Sequence, residues 1–183
     1  MLSALGADAR PIRRAAELHA VAGLVIPGGE STVMDKLARA FGLAGPLRER
    51  IADGLPVYGT CAGLIMLADR LVNPAPGQQT VGGFDVTVRR NAFGSQTESF
   101  EADLAVAGFG EPPVHAAFIR APVIEQFGQR VDVLAALPDG RVVAARQGNL
   151  LGTSFHPEMT GERRFHELFL TIVGQQALNS NLP

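Results

Sequence analysis

Short uninterrupted apolar runs alternate along this chain with stretches in which apolar residues recur every three or four positions. That alternation predicts strands and helices in turn. Gly23-Leu24-Val25-Ile26 is apolar throughout, as expected of a strand covered on both faces. Pro27-Gly28-Gly29 ends it, and Ser31 is placed to cap a helix whose Val33, Met34, Leu37 and Phe41 are predicted to form one buried face. Pro46 to Ala52 reads as a second short helix, Leu55-Pro56-Val57-Tyr58 as the next strand, and Leu64-Ile65-Met66-Leu67 as the helix after it. Asn73-Pro74-Ala75-Pro76-Gly77 is a surface turn.

From Thr80 the texture becomes strand-like, with runs at Val86–Val88, Ala116–Ile119, Val131–Leu134, Val142–Ala145 and Leu150–Phe155. Pro138-Asp139-Gly140 supplies a hairpin turn between two of them, and Glu162 to Val173 forms a closing amphipathic helix. The pattern predicts an α/β layered fold around a mostly parallel sheet, in one domain spanning residues 1–183.

Composition narrows the function classes. A formal net charge of −2 and the lack of a basic stretch argue against nucleic acid as a partner. No apolar run approaches the roughly 18 residues of a membrane span, and the first residues lack the basic and apolar regions of a signal peptide. One cysteine excludes an intrachain disulfide and suits a reducing compartment, so a cytoplasmic protein is expected.

That cysteine sits in Gly59-Thr60-Cys61-Ala62-Gly63, between an apolar strand and a helical run, which is the sequence form of a nucleophile elbow. A helix N-terminus favours thiolate, the attacking form, and the N–H of Ala62 is available to a developing oxyanion. A lone cysteine is otherwise commonly a small buried hydrophobe. His156-Pro157-Glu158 offers an imidazole at a strand end and a carboxylate to orient it; alone, such a tripeptide reads as a surface turn. Backbone N–H groups at Gly28 and Gly29 could complete an oxyanion hole or a nest for an anion. Arg89-Arg90-Asn91 and Ile119-Arg120 could clamp a carboxylate by forked hydrogen bonds. His19, His115 and His166 have no comparable neighbourhood and are read as structural or solvated.

With Cys, His and Glu in this order, the chain resembles the class I (triad) glutamine amidotransferases. More narrowly, it is similar to the glutaminase subunits of pyridoxal 5′-phosphate synthases. The likeness rests on Pro27–Thr32, Gly59–Ile65, Arg90–Gln96 with Ser99-Phe100-Glu101, Phe118–Pro122, and Phe155–Glu158. It implies a flavodoxin-like three-layer fold and hydrolysis of L-glutamine to glutamate and ammonia. Cys61 would form the thioester, His156 would move protons and Glu158 would orient it. Gly28, Gly29, Glu30, Arg90, Ile119 and Arg120 would bind glutamine, with Gly28, Gly29 and Ala62 at the oxyanion. The implied partner is the ammonia-accepting synthase subunit, with no metal and no cofactor of the chain's own, pyridoxal phosphate being the pathway's product. Family members open with an apolar strand and a turn before the segment matching Leu5–Ala9. The resemblance therefore implies that this first strand is missing, leaving an Ala9–Ile12 strand without its natural neighbour. A glutaminase for another synthase, an elbow-cysteine hydrolase and a glutamine-binding regulatory module are the competing readings.

Overall fold

The computed structural model describes residues 1–93 and 99–180, so Gly94, Ser95 and Gln96 of the middle motif lie outside the described residues. The strands are β1 (Leu24–Ile26), β2 (Val57–Thr60), β3 (Ala68–Val72), β4 (Phe84–Arg89), β5 (Ser99–Leu104), β6 (Val114–Ile119), β7 (Val123–Phe127), β8 (Asp132–Ala136), β9 (Val142–Gln147) and β10 (Leu150–Thr153). The α-helices are α1 (Ser31–Ala40), α2 (Ala44–Ala52), α3 (Ala62–Leu67), α4 (Pro157–Thr160) and α5 (Arg164–Ser180).

One sheet runs in the order β1-β2-β10-β9-β7-β4-β3 with β8 added beside β9, and β5 and β6 pair as a separate ribbon. The sheet is mixed rather than mostly parallel. β1–β2, β2–β10 and β3–β4 are parallel, while β10–β9, β4–β7, β7–β9 and β8–β9 are antiparallel. Parallel neighbours need a long crossover, whereas antiparallel ones need only a tight turn. Among the described residues no helix intervenes between β4 and β10, and β9 is followed at once by Gly148-Asn149 and β10.

The core follows the two-residue period of the strands. Val57 and Leu150 join Leu64 and Phe84 in one apolar cluster, while their neighbours Tyr58 and Leu151 join Phe155, Phe165 and Phe169 in another. Close backbone approach accounts for the elbow glycines. A Cβ on Gly63 would stand 2.0 Å from the carbonyl oxygen of Ile26, and one on Gly59 would stand 2.5 Å from that of Gly63. Here β1, β2 and α3 touch backbone to backbone, which no larger residue permits.

Two local expectations are overturned. Val33, Leu37 and Phe41 do not form the buried face of α1; they are 50%, 49% and 68% exposed. The inward face carries Ser31 and Asp35 beside Met34 and Ala38, which pack on the apolar core, because α1 also meets the segment after β3 through polar bonds. Asp35 accepts from the Gln79 N–H at 3.0 Å and pairs with Arg39 at 2.8 Å. Ser31 is also not the cap. Glu30 holds that position, its carboxylate accepting from the N–H groups of Thr32 at 3.0 Å and Val33 at 2.8 Å, donors left unpaired by the helix itself.

Ala9–Ile12 lies in no strand. Among the described residues β1 pairs with β2 alone, and its other side faces a cavity of about 640 Å³ lined by residues that include Ala9, Pro11, Val25 and Phe169.

Candidate active site

The three adjacent parallel strands β1, β2 and β10 end at the same sheet edge, so the segments that follow them converge there. Cys61 follows β2 directly. Its backbone is held at φ 50°, ψ −101°, a conformation rare for a side chain with a Cβ. The Cys61 N–H donates to the Thr153 carbonyl at 2.7 Å, tying the turn to β10, and α3 begins at the next residue. This is the elbow that the glycine spacing predicts.

His156 arrives from β10 through Ser154 and Phe155. Its N–H donates to the Ala117 carbonyl at 3.1 Å, so β6 fixes the turn from the other side. The ring lies against Gly28, where a Cβ would come within 2.2 Å of its Cε1. Nδ1 meets Glu158 Oε1 at 3.0 Å. The hydrogen bond that the protonated ring donates to the Cys61 sulfur, and after it the bond with Glu158, outweigh partial burial and push the His156 pKa up to about 10. Burial by itself raises the Glu158 carboxyl, but its bond to His156 and further favourable contacts leave it below the usual range. Beneath the site, the buried Tyr58 hydroxyl meets Thr153 Oγ1 at 3.2 Å, which joins the strand leading to Cys61 to the strand leading to His156.

A cavity of about 340 Å³ opens over the thiol. Gly29, Glu30, Cys61, Ala62, Arg90, Ile119, Arg120 and His156 all line it, so eight of the ten predicted positions meet in one place. Gly28 is not among the lining residues and instead backs the imidazole; Glu158 reaches the cavity only through His156. Ser31, Ile65 and Asn91 also line it. Ser31 and Ile65 lie within stretches that carry the family likeness, and Asn91 adjoins the predicted arginine, but the likeness assigned none of the three to the site. Asn91 and Arg120 both adopt positive φ, 48° and 44°, and the Ala92 N–H donates to the Ala121 carbonyl at 3.0 Å, so these two turns brace each other. Arg89 turns away and pairs with Glu125.

His19 is exposed, and His115 binds Asp103 and Glu101 on the β5–β6 ribbon, both away from the cavity. His166 is buried, and desolvation lowers its pKa. Among the described residues no cluster of His, Cys, Asp and Glu could hold a metal ion. No helix among them is long and apolar enough to cross a membrane.

The profile of the SNO glutamine amidotransferase family matches residues 1–175. The chain belongs to the SNO glutamine amidotransferase family. Within it, this amidotransferase is 67% identical to the pyridoxal 5′-phosphate synthase subunit PdxT of Leifsonia xyli subsp. xyli, over 94% of this chain and 87% of that protein. It is 65% identical to the PdxT subunit of Clavibacter michiganensis subsp. michiganensis, over 94% and 83%. A crystal structure of a glutamine amidotransferase superposes with a TM-score of 0.88 at 46% identity, covering 94% of this chain and 90% of the other. The mixed α/β architecture is thus that of a glutamine amidotransferase.

Proposed function

We propose that this chain is the glutaminase subunit of a pyridoxal 5′-phosphate synthase. It hydrolyses L-glutamine to L-glutamate and ammonia and hands the ammonia to the synthase subunit for vitamin B6 synthesis. The observation that carries this reading is the meeting of Cys61, His156 and Glu158 at one sheet edge, beneath a cavity with an arginine in its wall, in a chain so similar to PdxT subunits.

In this reaction the Cys61 sulfur attacks the side-chain amide carbon of glutamine. The oxyanion accepts from the Ala62 N–H, the first of α3, and from the Gly28-Gly29 segment. His156 gives a proton to the departing nitrogen, ammonia leaves, and a γ-glutamyl thioester remains. Water then attacks the thioester, His156 takes the water's proton, and glutamate departs with the Cys61 sulfur free and the imidazole protonated as at the start. Glu158 holds the imidazole in place through Nδ1. Glu30, Arg90, Ile119 and Arg120 hold the amino-acid end of glutamine.

We also read residues 1–183 as one cytoplasmic domain with a flavodoxin-like three-layer fold.

Glutamate release from L-glutamine, assayed with and without the synthase subunit of a pyridoxal phosphate synthase, tests the proposal. Release that depends on that subunit is expected. Release that responds only to the acceptor subunit of another amidotransferase would assign the chain to that enzyme instead.

The acid–base roles make a pH prediction. His156 carries its proton below about pH 10, so the form able to protonate the leaving amine persists through neutral pH and is lost as pH rises through that value. Glu158→Gln removes one of the two bonds that raise it. The alkaline limb of the pH–rate profile should therefore move to lower pH, with a smaller loss at neutrality than His156→Asn, expected at about 10²–10⁴-fold. An unmoved limb would remove Glu158 from the orienting role.

A further inference from the structure

Arg90 is held by a residue that does not line the cavity. Its Nη1 donates to Gln78 Oε1 at 2.8 Å, whereas its Nη2 reaches Thr32 Oγ1 and Glu30 Oε1 only at 3.3 and 3.4 Å. The same Gln78 oxygen accepts from the Ala75 N–H at 3.1 Å, and its Nε2 donates to the buried Ser31 hydroxyl at 3.0 Å. One amide thus spends both its donor and its acceptor on fixing two wall residues, Arg90 and Ser31. The segment that carries it is itself fastened to α1, through the Gln79 N–H on Asp35 and the Arg39 guanidinium on the Gly77 carbonyl at 3.4 Å.

We infer that Gln78 is a positioning residue for substrate binding: it aims the Arg90 guanidinium at the carboxylate of the incoming glutamine. The inference rests on the reading of Arg90 as the carboxylate clamp. A flexible arginine must lose side-chain freedom each time it grips a ligand, and the gain per bond rises when the planar fork is already oriented. Gln78 supplies that orientation from outside the pocket. Its neutral amide adds no second carboxylate to the guanidinium, whose ion pair with Glu30 is the longer contact at 3.4 Å. The reacting atoms lie at Cys61, at another part of the cavity wall, so the effect belongs to binding rather than to the chemical step.

The test uses the glutaminase with its synthase subunit and measures KM and kcat for L-glutamine in Gln78→Ala, Arg90→Ala and the double variant. Gln78→Ala should raise KM about tenfold, the scale of one lost bond to a charged group, with kcat within about twofold. The double variant should match Arg90→Ala, because Gln78, although it also bonds Ser31, reaches the glutamine carboxylate through Arg90. Gln78→Met keeps the side-chain length without either polar group; it should reproduce the KM effect with an unchanged melting temperature, separating it from loss of fold. Unchanged KM in both Gln78 variants beside a raised KM in Arg90→Ala would overturn the inference and leave the clamp standing. Additive losses in the double variant would overturn it equally. An unchanged KM in Arg90→Ala would overturn the clamp, and the inference with it.

Discussion

Cys61→Ala is expected to lower glutamate release by roughly 10³-fold or more, since removing a covalent nucleophile leaves only binding and oxyanion contacts. The fold should survive. Alanine keeps the Cβ already accommodated at φ 50°, and the change deletes a single sulfur from a site only 6% exposed. Initial rates in the presence of the synthase subunit, beside a thermal melt followed by circular dichroism, check both halves. Cys61→Ser sharpens the test, because a hydroxyl lacks the acidity of a thiol and should also be close to inactive. Turnover near the wild-type rate in either variant would take Cys61 out of the reaction.

Gly28→Ala is expected to cost about 100-fold in kcat, the scale of a misplacement of roughly 1 Å in reacting geometry. The new methyl would stand 2.2 Å from Cε1 and 2.8 Å from Nδ1 of His156, so the ring must move. Movement of the ring alters its alignment with Cys61 and with Glu158 together. The effect arises from contact and not from backbone strain, because Gly28 is not among the glycines with positive φ. Gly45→Ala, in α2 with nothing within 4 Å of the added methyl, is the matched control and should leave kcat unchanged. Wild-type kcat in a folded Gly28→Ala protein would show that the imidazole has another place to sit.

What could be read from the residues was whatever local stereochemistry dictates. Gly59-Thr60-Cys61-Ala62-Gly63 announces its turn because backbone contacts at Gly59 and Gly63 exclude every other residue; the contact of Gly59 is with Gly63, within five positions, while that of Gly63 is with Ile26 on β1. His156 was legible for a similar reason: the proline after it fixes the exit of its strand. The face of α1 was misread because periodicity records where apolar residues fall, not what covers them. Besides the apolar core under Met34 and Ala38, α1 meets the polar segment at Ala75–Gln79, which Asp35 serves better than Leu37 does. The mixed sheet was missed because β3 continues a helical run without a break and carries exposed Asp69 and Arg70, while β7 offers only the short apolar pair Val123-Ile124 before two polar residues. Gln78 was invisible altogether. Its importance comes from Arg90 and Ser31, 12 and 47 positions away, and no local rule connects them.

The buried Tyr58–Thr153 bond has a consequence for how such a protein loses function when heated. It lies where β2 and β10 run side by side, among residues with no exposed surface, so Cys61 and His156 part company only when the middle of the sheet melts. The Arg90 wall, held by side chains from a surface turn, belongs to a softer part of the molecule. Warming should therefore loosen the grip on glutamine well before it disarms the thiol, and the protein fails first as a receptor and only later as a catalyst.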